Sequence, residues 1–158
     1  MLRRSTRRTV RGTATVEFAL ILPLFLGLLF SIIEFGFIFR NLLIVQQAAR
    51  EGARAAAVGR STSEITAAIN GSLADLEVLR LTTSLQYRTL SGGTWSSWTT
   101  LGNAATTPVT NNAPQGAQVR ARCTYSHRLL TGALFATMIG QPTATTINLN
   151  AQMVMRRE

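Results

Sequence analysis

An apolar segment near the start of the chain constrains the fold more than any other feature. Residues 18–39 contain a single charged side chain, Glu34. As a helix, these 22 residues would span about 33 Å, enough to cross a hydrocarbon core about 30 Å thick. Pro23 lies inside, which membrane helices tolerate, and the small residues Gly27 and Ser31 would let another helix approach closely. The sequence therefore predicts one membrane-spanning helix.

The arginine distribution predicts the orientation of this helix. The 158 residues carry a formal net charge of +9, and all 16 basic residues are arginine. Five of them precede Gly12 with no acid among them: Arg3, Arg4, Arg7, Arg8 and Arg11. Such clustering favours a cytoplasmic N-terminus and an exported C-terminal part. Arg40, Arg50, Arg54 and Arg60 follow the segment and weaken this signal, but they are spread out and diluted by Glu51.

The same distribution argues against a nucleic-acid partner. Without residues 1–12, eleven arginines face seven acids, a net charge of +4 over 146 residues. The remaining arginines are scattered, and they form no basic run interleaved with aromatics of the kind that nucleic-acid binders show. We therefore expect no nucleic acid to bind.

The predicted helix continues beyond the membrane. Nothing after Phe39 signals a helix stop before Gly59, so we expect a helix from Ala14 to about Val58, roughly 67 Å long. Two stripes of small residues follow its last turns: Ala48, Gly52 and Ala56 in one, Ala49, Ala53 and Ala57 in the other. Alanine is the best helix former, which alone would explain most of the pattern. Glycine, however, costs about 1 kcal/mol in a helix interior, so we expect another helix or a sheet to pack closely there.

A second helix and four strands are predicted after Gly59. Ser61 and Glu64 have the spacing of a capping box. An apolar face follows at helical spacing up to Arg80: Ile65, Ile69, Leu73, Leu76 and Leu79. Alternating segments predict strands at 81–90, 94–101, 117–128 and 145–156, with a turn at Gly92–Gly93 and a loop at 102–116. Residues 129–140 are apolar and predict a short helix or a hydrophobic loop.

These elements predict an α+β fold. A long membrane and stalk helix would be followed by a second helix and a four-stranded, mainly antiparallel sheet that the helices cover on one face. The organisation we expect is a leader at 1–12, the membrane and stalk helix at 13–59, and an exported domain at 60–158.

The sequence offers no catalytic constellation. Cys123 and His127 are the only cysteine and histidine. On one strand they would lie about 13 Å apart, too far for a nucleophile and its base. We expect Cys123 to be a core residue and His127 to be a core or edge residue, and we expect no enzyme activity, cofactor or metal. Trp95 and Trp98 could form an adhesive surface, but half-buried aromatics of a hairpin are the simpler interpretation.

Two carboxylates need an explanation of their own. A charge deep in a bilayer costs on the order of 3 kcal/mol on insertion scales. Glu17 lies at the cytoplasmic edge, where water could solvate it or a partner could pair with it. Glu34 lies about 25 Å further along the helix. We expect it at the outer headgroup layer, with pairing in an assembly as the alternative.

Several of these residues together resemble a known family. They are Gly12, the Val16-Glu17-Phe18 triplet, Pro23, and the run from Ala48 to Ala56, AAREGARAA. In this combination, residues 11–59 resemble the N-terminal region of TadE-like proteins. These are minor pilins, or pseudopilins, of the Tad/Flp type IV pilus system.

The resemblance implies a mechanism. A prepilin peptidase of the inner membrane would cut after Gly12 on the cytoplasmic side. The new amine of Thr13 would then pair with Glu17 of a neighbouring subunit. Phe18 stands where the family commonly has tyrosine and keeps the ring without the hydroxyl. The implied partners are other pilin subunits and the pilus assembly platform, and the implied destination is a surface pilus used in attachment.

Two other interpretations remain open. The chain could be an uncleaved single-pass membrane protein with an exported binding domain. It could also be a cleaved secretory protein, because residues 6–10 loosely resemble a twin-arginine signal. The last fits worst, since its small-residue cleavage candidates near Ala55 lie far beyond the apolar region.

Overall fold

One long helix organises the molecule. The computed structural model describes residues 10–132, 140 and 145–158. Residues 1–9 of the predicted leader and most of the apolar segment 129–140 lie outside the described residues. Helix α1 runs without interruption over Val10–Ala57, 48 residues, which corresponds to about 72 Å. Gly59 follows its end with a φ of +83°, as expected of a glycine that terminates a helix.

The second helix, α2, begins as predicted and ends early. It spans Thr62–Gly71, and its N-cap Ser61 forms the capping box with Glu64. The prediction that it continues to Arg80 is wrong. The chain leaves the helix after Gly71, and Ala74 adopts a φ of +51°, a conformation that no helix accommodates. Beyond it, Val78–Arg80 forms one turn of 3-10 helix.

The described residues form six β-strands, four of which make up an antiparallel main sheet. In chain order, the strands are β1 (Leu81–Arg88), β2 (Leu90–Ser91), β3 (Thr94–Trp95), β4 (Thr99–Thr100), β5 (Gln118–Arg128) and β6 (Thr146–Arg156). The main sheet has the order β4–β1–β5–β6, which confirms the predicted α+β architecture.

The predicted return strand 94–101 is divided in two. Its first part, β3, pairs with β2 across the Gly92–Gly93 turn. Its second part, β4, pairs with β1 at the end of the main sheet. Between the two parts, Ser96 N–H donates to the carbonyl of Thr89 at 2.9 Å, which extends the pairing of β2 with β3 by one residue.

The core lies between the inner face of the sheet and the two helices. Strand β5 alternates as predicted, with every second side chain from Val119 to His127 buried. The second half of α1 packs against β5, β6 and α2. Val45, Ile65 and Ile69 are completely buried between these layers.

The strands are oriented along α1. The backbone N–H of Glu158, just after β6, donates to the carbonyl of Ala57 at 3.1 Å. The backbone N–H of Leu130, just after β5, donates to Glu34. Strand β5 therefore ends, and β6 begins, at the end of the domain nearest residues 18–39, which we call the apolar half of α1.

Candidate functional site

The N-terminal end of α1 carries the residues predicted for processing and assembly. Gly12 and Thr13 lie in the helical backbone of α1, and their side chains are outside the described part. Glu17 and Phe18 are exposed. Within the described residues Glu17 has no ion pair. A carboxylate that enters an apolar environment needs a cationic partner, and no described residue supplies one to Glu17.

Most of the apolar half of α1 lies outside the domain, although Glu34 and Ile38 contact it. The stretch Ala14–Ala57 is long and apolar enough to span a membrane, and its most apolar window has a mean hydropathy of 2.5 with none of its residues buried in the protein. A core helix of a soluble domain would bury such a window. This helix therefore presents its leucines and phenylalanines outward along its whole apolar length, as a membrane anchor does.

The small-residue stripes of α1 lie at the centre of the domain. Ala48, Ala49, Ala53, Ala56 and Ala57 are all buried, none more than 8% exposed. Gly52 marks the closest approach, because a Cβ placed there would lie 2.6 Å from Ile69 Cδ1 and 3.3 Å from the Cβ of Ala121. Helix α2 and strand β5 both meet α1 at this point. The stripes thus pack against the chain's own helix and sheet.

Glu34 forms a site that the sequence did not indicate. Its side chain is completely buried. Oε1 accepts a hydrogen bond from the backbone N–H of Leu130 at 2.9 Å. Oε2 accepts bonds from the N–H of Thr131 at 2.8 Å and from its hydroxyl at 2.9 Å. The sequence led us to expect Glu34 at the outer headgroup layer or paired in an assembly; in the structure its carboxylate is bound by the turn after β5 of the same chain.

His127 and Asn41 extend this site. The amide Nδ2 of Asn41 donates to His127 Nδ1 at 2.9 Å, which leaves the ring proton of a neutral histidine on Nε2. That nitrogen faces Glu34 Oε1 at 3.6 Å, longer than a hydrogen bond. Asn41 and His127 are 6% and 5% exposed. The three side chains and the 130–131 turn, which we call the Glu34 clasp, join the apolar half of α1 to the end of β5.

Only a weak signal in the sequence pointed to this clasp. Three polar residues occupy positions that the apolar periodicity would fill with hydrophobic side chains: Glu34, Asn41 and His127. The sequence gives no reason to group them. The partners of Glu34 lie 96 and 97 residues away. They are mostly backbone groups, which carry no signature in a sequence.

The two tryptophans stack with arginines on the outer face of the sheet. Arg88 lies over Trp95 at 5.0 Å and over Trp98 at 4.6 Å, and Arg120 lies over Trp98 at 4.0 Å. Both rings are half-buried. Burial, together with the charges of Arg122 and Arg88, lowers the pKa of Arg120. This cation–π cluster fixes the guanidinium groups on the sheet.

Cys123 lies in the core. It is completely buried, and burial raises the pKa of its thiol although Thr83 bonds to it. Within the described ranges, no group of three or more histidine, cysteine, aspartate or glutamate side chains is arranged to hold a metal ion.

Fold and site together define an α+β domain carried on a single apolar helix of membrane-spanning length. The family model described as TadE-like protein matches residues 12–54. This segment contains the exposed Glu17 and the first two residues of each buried stripe, and it is similar to TadE-like proteins, as the resemblance predicted. The match associates the chain with Tad pili. No curated protein and no solved structure matches the chain.

Proposed function

We propose that this protein is a minor pilin, or pseudopilin, of a Tad-type pilus. The observation that carries the proposal is Glu17, an exposed carboxylate without an ion pair in the described chain, near the start of the TadE-like segment. A carboxylate in this position needs a cation when it enters an apolar environment. A neighbouring subunit's N-terminal amine would meet that need through a charge-assisted hydrogen bond.

Processing supplies the amine. A prepilin peptidase would cut after Gly12 and leave Thr13 as the first residue, five positions from Glu17 counting both. Phe18 would then lie beside the contact with its ring exposed to a neighbouring helix. Before assembly the apolar half of α1 holds the chain in the inner membrane, with the leader in the cytoplasm and the domain exported. Afterwards other pilin helices replace the lipid, and the subunit reaches the cell surface.

The function is structural in this proposal. Cys123 is buried with a raised pKa, which keeps it protonated and unreactive. His127 is held within the Glu34 clasp. Neither residue is presented to a substrate.

Intact mass of the protein tests the processing step. The full chain is produced in membranes together with the matching peptidase, and the mass is expected to show loss of residues 1–12. Gly12→Leu should retain the full-length mass, because a branched side chain replaces the smallest residue at the cut. A full-length mass of the unsubstituted chain with an active peptidase would contradict the proposal and favour the uncleaved single-pass membrane protein.

Glu17→Ala tests the assembly step separately. This variant should still be cleaved, but less of it should appear in the sheared pilus fraction. Glu51→Ala removes a carboxylate from the same helix outside the apolar half and serves as the matched control. Equal incorporation of both variants would show that Glu17 does not pair between subunits.

A further inference from the structure

The Glu34 clasp fixes how deeply the domain sits relative to a bilayer. A hydrocarbon core about 30 Å thick takes about 20 residues of a perpendicular helix. Counted from Phe18, that length ends at Phe37. Glu34 then lies about 5 Å inside the outer boundary. Because Glu34 is bonded to Leu130 and Thr131, the turn that carries them is drawn to the same level.

Exposed apolar side chains occupy this end of the domain. Leu130 is 67% exposed, Leu79 is 99% exposed and Val78 is 47% exposed. We call these three residues the apolar rim. The 3-10 helix that carries Val78 and Leu79 contacts β5, and the following residue, Leu81, pairs with Tyr125 near the clasped end of that strand. Leu79 therefore lies close to the level of His127.

Leu79 and Leu130 take no part in the described core at this end of the domain. Leu129, beside Leu130, is only 4% exposed and packs with Ile38 of α1 and Ile147 of β6. Among the described residues, Leu129 therefore makes the core contact at this end, whereas Leu130 and Leu79 stay exposed.

Three arginines lie near the residues of the rim, either in the chain or in the fold. Arg40 follows the apolar segment directly, Arg80 follows Leu79, and Arg128 is exposed at the end of β5. Arg40 is bonded to Asp75 and Arg80 to Glu77, each at 2.7 Å. Arg128 has no ion pair among the described residues, and a long arginine side chain beside apolar groups can place its stem in the interface and its charge among headgroups.

We propose that the apolar rim inserts into the outer leaflet of the membrane that α1 spans, so that the domain rests on lipid through Val78, Leu79 and Leu130. The inference depends on the membrane anchoring of the proposed function. It goes beyond that function by giving the exported domain its own lipid contact, which would hold the domain at a set tilt before assembly. Apolar groups of this kind sit about 5–10 Å into the boundary between headgroups and acyl chains.

Depth-dependent quenching tests this contact in the full chain. The protein is reconstituted in vesicles of phosphatidylcholine and phosphatidylglycerol, with or without bromine on the acyl chains. A polarity-sensitive fluorophore is attached at Leu79→Cys or Leu130→Cys. Cys123 is completely buried and stays unlabelled. Leu24→Cys, in the apolar half of α1, is the inserted reference. Val109→Cys, 51% exposed and next to the Thr110 that pairs with Arg60, is the distal reference.

The expected result is bromolipid quenching at Leu24, Leu79 and Leu130 and none at Val109. Quenching at Leu24 without quenching at Leu79 and Leu130 would overturn the inference and leave membrane anchoring intact. Absence of quenching at Leu24 would overturn the anchoring itself, and the inference with it. Emission at Leu79 that changes with protein density but not with bromolipid would show that another copy covers the rim, and would also overturn the inference.

Discussion

Glu34→Ala should open the turn after β5 without unfolding the domain. The carboxylate accepts three hydrogen bonds from Leu130 and Thr131. Hydrogen bonds to a charged group contribute about 1.5–3 kcal/mol each, and a buried donor left without a partner costs about 1–3 kcal/mol. When the turn opens, its amides can bond instead to water or to polar headgroups at the membrane interface, which recovers part of this free energy. We therefore expect less than simple addition of the three bonds would give, a loss of local stability of about 3 kcal/mol.

Amide hydrogen exchange of the protein in detergent micelles measures this loss residue by residue. A change of about 3 kcal/mol corresponds to roughly a hundredfold faster exchange at Leu130 and Thr131. Glu34→Gln keeps an acceptor oxygen but turns an amide donor toward one of the two N–H groups, so its effect should be intermediate. Glu51→Ala, on the same helix, should leave both amides unchanged. Exchange in Glu34→Ala equal to that of the unsubstituted chain would refute the clasp as the fastening of this turn.

Three further substitutions test the packing, capping and termination of the helices. Gly52→Leu should destabilise the domain by about 1–3 kcal/mol or more through contact with Ile69, seen as a lower urea midpoint by tryptophan fluorescence, whereas Gly36→Leu, with open space around it, should not. Ser61→Ala should cost about 1 kcal/mol through loss of the N-cap. Hydrogen bonds from Ser61 lower the pKa of Glu64, so the stability of the unsubstituted protein should fall as the pH drops through the range in which glutamate is protonated. The fall should be less steep in Ser61→Ala. Equal pH dependence of stability in the two proteins would show that the Ser61 bonds are not its cause. Asn111→Ala removes the side-chain amide that donates to two carbonyls at the end of α1 and should lower stability by about 2–4 kcal/mol. A loss smaller than the error of a thermal melt would show that water replaces this amide.

Sequence patterns predicted the elements where local chemistry decides the structure. The capping box at Ser61 fixes the start of α2 within four residues of chain. The alternation in β5 is set by burial of one face of a strand. Helix α1 ends before Gly59 because glycine adopts a positive φ without a steric penalty. In each case the cause lies in neighbouring residues, which is why a single sequence was enough.

Prediction failed where two local rules compete or where the partner is distant. The helical spacing of Leu76 and Leu79 suggested that α2 continues, but Gly71 and the positive φ of Ala74 end it. Leu76 is then buried from a non-helical segment, and Leu79 is turned outward to 99% exposure. The role of Glu34 was not predicted because its partners are distant in the chain. They are mostly backbone groups, which only the completed fold brings to the carboxylate.

The outward-facing surface of α1 sets a condition on how this chain can leave a bilayer. Sixteen large apolar residues between Val16 and Phe39 are more than a third exposed on the protein. Transfer of each side chain from an apolar medium to water costs about 1.5–3 kcal/mol of free energy. A helix that passed through solvent would therefore meet a free-energy barrier of tens of kcal/mol. Departure from lipid therefore has to be a continuous exchange, in which every stretch of the helix is covered by another helix as the acyl chains withdraw.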